Sequence, residues 1–432
     1  MKHKKVFLSM LIVALIASFY GCGQKESAHD TPVNKAIDNT YGITVDGKAA
    51  DDGGVTYEYA EPAADAYDMA PATTNNNPTA TYDPSSTISE PQTQKPSAGQ
   101  LTAGVWNDND NWGFFSNLVN TDLISFPSYG IDPRFRTVVN VKDNDGNPLV
   151  NASVSLLDNK NNTLWTSLTD KNGNAYLFSP EGTDGVSAEI ELNGIKQSCD
   201  IQKATENAQN NNKSSDSVTE VTFDSDSKLY KNTDIMFILD TTGSMSDEML
   251  FLQSEFTAIT DKLGTDNTRY AVNFYRDEGD EYITKCNSFT SDIKDLQSAL
   301  NAESAQGGGD YPEAVADILK ESIFDSNWDN QSVKLAFLIF DAPPHDGTDD
   351  SIIATIKEAS AKGIHIIPVV SSNSERETEL FGRALAITTN GQYVFLTDDS
   401  GIGDSHLEPI IGYYKVQSLY DIIINIVNDY KQ

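Results

Sequence analysis

The most regular hydrophobic pattern lies in the second half of the chain, where four short runs are apolar at nearly every position. These runs cover residues 234–239, 333–340, 364–370 and 393–396. Continuous apolar runs of this length are typical of parallel strands that are covered on both faces. They predict the buried strands of a parallel sheet.

Helical patterns separate and follow these runs. Apolar residues recur at steps of three and four over residues 249–263, 315–323 and 416–430, as on one face of an α-helix. Residues 269–275 and 281–286 are predicted to form a hairpin at one edge of the sheet. Strand and helix therefore alternate, which predicts an α/β fold with a doubly wound, mostly parallel sheet over residues 230–432.

A different pattern occupies residues 136–226, where short alternating strands are separated by clusters of Asp, Asn and Gly. Such clusters favour turns, so the segment predicts a small all-β sandwich ahead of the α/β domain. It resembles the carboxypeptidase-regulatory and transthyretin-like sandwiches, which implies a spacer or an accessory binding module. The predicted strands cover residues 137–142, 152–157, 163–168 and 175–178.

The chain begins with a pattern typical of an export signal. Lys2, Lys4 and Lys5 precede an apolar stretch at residues 6–20, which is short for a membrane span. Gly21 and Cys22 follow, and this end resembles a bacterial lipoprotein signal. The resemblance implies cleavage after residue 21 and a lipid on Cys22, which would anchor the exported protein to the cell membrane or outer membrane, outside the cytoplasm. An ordinary secretion signal with an incidental cysteine is the alternative.

Two segments connect this signal to the predicted domains. Residues 22–100 are polar, and residues 23–100 hold twelve acidic residues against four lysines, which predicts a disordered linker. Residues 101–135 contain several aromatic residues and are too apolar for a linker, so we expect them to pack on one of the domains. An exposed ligand platform is the alternative for that segment.

The amino-acid composition limits the classes of partner that this protein is expected to bind. The formal charge of −34 disfavours direct binding to nucleic acid or to an anionic membrane surface, so membrane attachment would rest on the N-terminal lipid alone. The three cysteines are far apart, which matches no zinc motif. Once Cys22 carries a lipid, Cys199 and Cys286 remain, either as free thiols or as a bridge between the domains.

Polar oxygen-bearing residues follow two of the predicted strands directly. Asp240, Thr242 and Ser244 stand in the sequence DTTGS after the first strand, and Asp341 follows the second. Asp310 lies in the glycine-rich turn GGGDYPE. The carboxyl ends of parallel strands meet at one edge of a sheet, and carboxylate and hydroxyl oxygens are the ligands that hard divalent cations prefer. The sequence therefore predicts a metal site at this edge.

These three motifs, DTTGS, GGGDYPE and FDAPPH, resemble a von Willebrand factor type A domain with its metal-ion-dependent adhesion site. The resemblance implies that Asp240, Thr242 and Ser244 hold Mg²⁺, directly or through water, and that Asp310 and Asp341 anchor coordinated waters. Mn²⁺ or Ca²⁺ could replace Mg²⁺. It also implies a protein ligand that offers a carboxylate or another oxygen to the metal.

Several alternatives remain open at this point. Asp310 could instead belong to a helix capping box with Glu313, and Asp341 could be a simple turn residue. His345 is expected to be a solvated loop histidine, with a role at or beside the metal as the alternative. The metal could be purely structural, or the protein could be an accessory subunit of an envelope complex. An enzyme is not expected, since the chain lacks a phosphate-binding loop and a Gly-x-Ser-x-Gly nucleophile motif.

Overall fold

The computed structural model describes five stretches of the chain: residues 97–121, 131–180, 182–202, 218–309 and 311–431. The predicted signal peptide, Cys22, almost all of the predicted linker and Asp310 therefore lie outside the described residues. Within these stretches, the helices are all too short or too polar to cross a membrane.

The first described elements are a strand, a helix and seven further strands. They are β1 (Thr102–Trp106), α1 (Trp112–Asn120), β2 (Ile131–Lys142), β3 (Ser153–Leu157), β4 (Thr163–Leu168), β5 (Asn174–Pro180), β6 (Ser187–Leu192), β7 (Ile195–Asp200) and β8 (Val218–Thr222). Strands β5, β2 and β8 form one sheet in that order, and β4, β3, β6 and β7 form another. Each of the four strands predicted here overlaps one of β2 to β5. The packing of the two sheets as a sandwich stays a prediction.

We call strands β2 to β8 the strand module, and three of its connections form the same type of turn. Asp143, Asp158 and Asp170 each accept hydrogen bonds at Oδ1 from the backbone N–H groups two and four residues later. Hydrogen bonds from Asn147 and Asn162 lower the pKa of Asp143 and Asp158, respectively. These acidic clusters are therefore explained by turn formation.

The remaining elements form the sheet domain. They are β9 (Asn232–Asp240), α2 (Met249–Leu263), β10 (Thr268–Tyr275), β11 (Thr284–Lys285), α3 (Ile293–Ala302), α4 (Val315–Phe324), β12 (Ser332–Phe340), α5 (Asp349–Lys362), β13 (Ile364–Val370), α6 (Arg376–Thr388), β14 (Tyr393–Leu396), β15 (Gln417–Ser418) and α7 (Leu419–Tyr430). The sheet order is β11-β10-β9-β12-β13-β14-β1-β15, and the five strands from β10 to β14 along this order are parallel. The predicted α/β sheet of mostly parallel strands is confirmed, and the edge hairpin is present as β10 with the short β11.

Alternate residues of the central strand β9 face opposite sides of the sheet. Ile235, Phe237 and Leu239 join a core with α2 and α7, whereas Met236 and Ile238 join a core with α4, α5 and α6. Helices therefore cover both faces, which explains why the four predicted runs are apolar at nearly every position. One boundary differs from the prediction: α7 begins at Leu419 rather than near residue 416, because the Ser418 hydroxyl caps the helix by accepting from the Asp421 N–H at 3.1 Å.

Strand β1 belongs to the sheet domain although it precedes the strand module in the chain. It lies between β14 and β15 and runs antiparallel to both. Gly104 makes this position tight, since a Cβ atom there would overlap the Phe395 ring. The sequence pattern assigned residues 101–135 to a connecting segment because this short strand lacks a continuous apolar run. The sheet is consequently built from two separate parts of the chain, with the strand module inserted between them.

A buried ionic network fixes the segment after β1 to the sheet domain. The Arg383 guanidinium donates to both oxygens of Asp108 at 2.8 Å and to Glu379 Oε1 at 3.1 Å. All three side chains are at most 1% exposed. Paired charges at this depth are stable only while every partner is present, because a lone buried charge is strongly destabilising.

Candidate metal centre

Asp240 ends β9 and is completely buried. Its Oδ1 accepts from the Thr242 N–H at 2.8 Å and from the Thr242 hydroxyl at 2.7 Å, and its Oδ2 accepts from the Tyr275 hydroxyl at 2.8 Å. The Thr242 Oγ1 also lies 3.2 Å from the Ser244 Oγ, and Ser244 is exposed. The DTTGS turn therefore brings one carboxylate and two hydroxyls together and connects them to solvent.

Asp341 follows β12 and joins the same group of side chains. It is 3% exposed, its carboxyl group interacts with the Ser244 hydroxyl, and its Oδ1 has no hydrogen-bond partner. Burial and the charge of Asp240 raise the pKa of Asp341, and burial likewise raises the pKa of Asp240. The structure thus brings together four of the five predicted site residues, while Asp310 lies outside the described residues.

The glycine-rich turn before α4 packs directly on the DTTGS turn. The Gly243 N–H donates to the Gly307 carbonyl at 3.1 Å. Gly308 has a positive φ of 74°, and a Cβ there would lie 3.2 Å from the Thr242 Cβ. Glycine is needed at this position because a side chain would meet both backbone strain and a close contact. Helix α4 begins only at Val315 with Ala314 as its N-cap, so the capping-box alternative for Glu313 is wrong.

Three further acidic side chains surround these residues. Asp277 and Asp280 follow β10, and Glu313 is 4% exposed. Burial, together with the charges of Asp240, Asp277, Asp341 and Asp280, raises the pKa of Glu313 to about 9. The sequence contained a signal for Asp277 and Asp280, since both follow the carboxyl end of a strand, as Asp240 and Asp341 do. The predicted site omits them because they lie outside the three motifs.

Two histidines contact acidic side chains in this region. His345 Nε2 lies 2.6 Å from Asp277 Oδ1, so this histidine has a partner rather than only solvent. His406 lies between two carboxylates, with Nε2 2.9 Å from Glu248 Oε1 and Nδ1 2.8 Å from Asp398 Oδ1. Because both ring nitrogens of His406 are occupied, it is not placed to serve as a base for the neighbouring Ser405.

The residues present suit a hard divalent cation. The donor atoms are carboxylate and hydroxyl oxygens, and the unpaired Oδ1 of Asp341 is a buried acceptor that needs a positive partner. The pKa values of Asp240 and Asp341 are raised, as is expected for buried carboxyl groups that lack a positively charged partner. The described residues contain no group of three or more His, Cys, Asp or Glu side chains that could hold a metal ion. A metal here would therefore depend on two carboxylates and on hydroxyls, with Asp310 as the further acidic residue from the sequence motif.

One family model and two known proteins match parts of this chain. Residues 234–403 match the family described as von Willebrand factor A domain. The putative ariadne-like RING finger protein R811 of Acanthamoeba polyphaga mimivirus is 26% identical over 190 residues, and the matched region covers 38% of this chain but only 18% of that protein. Among solved structures, the conserved hypothetical protein BatB from Bacteroides thetaiotaomicron is 14% identical, with a TM-score of 0.33, over 46% of this chain and 98% of that chain.

Proposed function

We propose, from the von Willebrand factor A domain at residues 234–403, that this protein binds a partner protein through a divalent metal ion held by the DTTGS turn. Domains of this family are generally interaction modules. Asp240, Thr242 and Ser244 would hold Mg²⁺ directly or through water, and Asp341 would hold a coordinated water. Asp310 has the same proposed role as Asp341. Mn²⁺ or Ca²⁺ could take the place of Mg²⁺.

The single observation that carries this proposal is the convergence of Asp240, Thr242, Ser244 and Asp341 at one point that reaches the surface. Asp240, Thr242 and Asp341 are buried, whereas Ser244 is exposed. A cation at this point would have protein oxygens on its inner side and a free coordination position toward solvent. An oxygen of a partner protein would fill that position, as the resemblance to adhesion sites implies.

We also propose that the protein is exported and held at the bacterial cell membrane or outer membrane by a lipid on Cys22. This proposal rests on the sequence pattern of residues 1–22. In this arrangement the linker up to residue 100 separates the binding domain from the membrane, and the domain itself makes no direct contact with the anionic lipid surface.

Calorimetric titration of Mg²⁺, Mn²⁺ and Ca²⁺ into the full chain tests the metal site. We expect saturable binding to one site, and a thermal unfolding temperature that rises with metal concentration because the metal binds only the folded state. A matched Ser244→Ala variant should bind Mg²⁺ about tenfold or more weakly, since it loses one oxygen ligand. Linear, non-saturating heats in the wild-type protein would contradict the proposal.

A structural or accessory role is the second candidate, and the unpaired Asp341 Oδ1 favours it as much as the first. In that case the metal would only hold the loops of the domain together. Chelation would then lower the unfolding temperature but leave partner capture unchanged. Loss of partner capture at a temperature where the chelated protein stays folded would favour the binding role.

A further inference from the structure

The loops around the proposed metal site form a strongly acidic surface, which we call the acidic face. It comprises residues 240–248, 276–283, 303–309, 311–313, 341–348, 371–375 and 397–408. These segments contain sixteen Asp and Glu residues, no lysine and a single arginine, Arg276. Arg276 is 5% exposed and donates to the Ser304 carbonyl at 3.1 Å, so it adds little positive charge to the surface.

Part of this negative charge is exposed beside the metal site. Glu278, Glu281 and Asp346 are exposed, and we call these three residues the rim. The neighbouring Asp280 accepts from the Gly308 N–H at 2.9 Å. Since Gly308 packs on Thr242, the turn that carries Glu278 and Glu281 lies next to the DTTGS turn.

The third rim residue is held close to the other two. The contact between His345 and Asp277 joins the loop that follows β12 to the turn that follows β10. Asp346 is the next residue after His345, and Glu278 is the next residue after Asp277. The rim therefore borders the metal site along one continuous side of the acidic face.

A single divalent cation does not neutralise this surface. Its two charges are matched by Asp240 and Asp341 alone, which leaves the rim, Asp277 and Asp280. The buried Oε2 of Glu313 has no hydrogen-bond partner, so a second buried polar atom of this region is unpaired besides the Asp341 Oδ1. The ion pairs of Glu281 with Arg276, at 3.5 Å, and of Glu303 with Lys285 offset only part of the excess.

An acidic partner would meet like charges on this surface. Like charges placed opposite each other across an interface disfavour binding, whereas complementary charges accelerate association and select partners. We propose that the acidic face docks a basic segment of a partner protein, in which lysines or arginines contact the rim and a neutral oxygen, such as a hydroxyl, an amide or a main-chain carbonyl, binds the metal. This inference rests on the proposed metal-dependent function and names the chemistry of its partner.

Two matched fluorescent peptides test this inference on the full chain in saturating Mg²⁺. Both consist of Gly, Ser and Asn, and they carry either lysines or glutamates at the same positions. We expect fluorescence anisotropy to detect binding of the lysine peptide only, and this binding should weaken as salt concentration rises. Equal affinity for the two peptides would overturn the proposal.

Charge-neutralising variants locate the binding surface. In the rim variant, Glu278→Gln, Glu281→Gln and Asp346→Asn, the lysine peptide should bind about tenfold more weakly. The control variant loses the same charge at the opposite end of the sheet, through Asp261→Asn, Asp266→Asn and Asp325→Asn. It should change peptide affinity by less than about twofold. Equal losses in both variants would overturn the proposal, because they would reflect the net charge of the chain.

Titration of Mg²⁺ into the rim variant separates this inference from the proposed function. The rim residues do not belong to the proposed metal ligands, so Mg²⁺ affinity should change by less than about threefold. Intact Mg²⁺ binding together with no preference for the lysine peptide would remove the basic partner but keep the metal-dependent function. Failure of Mg²⁺ to bind the wild-type protein would instead remove the proposed function itself.

Discussion

Replacement of Asp240 by asparagine should lower the affinity for Mg²⁺ by on the order of a hundredfold or more while the domain stays folded. Asparagine retains an oxygen that can accept from the Thr242 N–H, so the DTTGS turn keeps its main internal hydrogen bond. The charge that would bind the cation is lost. Isothermal titration calorimetry measures the affinity, and far-ultraviolet circular dichroism measures the fold.

Asp234 offers a matched control on the same strand. It is also completely buried, but it lies at the opposite end of β9, where it accepts from Arg269 at 2.9 and 2.7 Å. An Asp234→Asn variant should lose stability without a change in Mg²⁺ affinity. If both variants lost Mg²⁺ binding equally, the effect would come from general destabilisation, and the assignment of Asp240 as a metal-binding residue would be wrong.

Replacement of Arg383 by methionine should destabilise the protein by about 3–5 kcal/mol, the largest stability effect that we expect from a single substitution. The substitution leaves Asp108 without its ionic partner and removes one from Glu379, and both side chains are buried. Urea unfolding followed by tryptophan fluorescence measures the loss of free energy of unfolding.

The exposed pair of Lys142 and Glu220 provides the comparison for this variant. Their side chains are 36% and 69% exposed, so a Lys142→Met substitution should cost no more than about 1 kcal/mol. A double variant with Arg383→Met and Asp108→Leu should recover part of the stability, because it removes one of the charges that lose their partner. A cost below about 1 kcal/mol for Arg383→Met would mean that the buried network contributes little.

Much of the sheet domain could be predicted because its strands are buried on both faces. The four apolar runs coincide with β9, β12, β13 and β14 to within two residues at either end. A second physical rule predicted that Asp240 and Asp341 lie at one edge, since ligands of parallel sheets bind beyond the carboxyl ends of the strands. Local hydrophobicity was sufficient for these elements because it determines their burial, and the alternation of strand and helix determines their parallel direction.

The features that were missed depend on contacts between distant parts of the chain. Strand β1 contains five residues, and only its pairing with β14 and β15 makes it part of the sheet. In the sequence, Asp108 resembles a polar loop residue, and only the fold brings Arg383 opposite it. Similarly, the position of Glu313 in the sequence suits a helix capping box, yet α4 begins later and leaves its carboxyl group among other acidic side chains.

The position of β1 also determines how the folded domain would carry mechanical tension. Because β1 is antiparallel to β14, its first residue, Thr102, lies at the same end of the sheet as Asp240 and Asp341, and the strand module continues from the opposite end. A pulling force applied at Ser97 and resisted by a partner bound at the acidic face would act across one end of the sheet only. The force would load the hydrogen bond from the Gly99 N–H to Glu255 and the backbone bonds of β1, and the strand module would remain outside the path of the force.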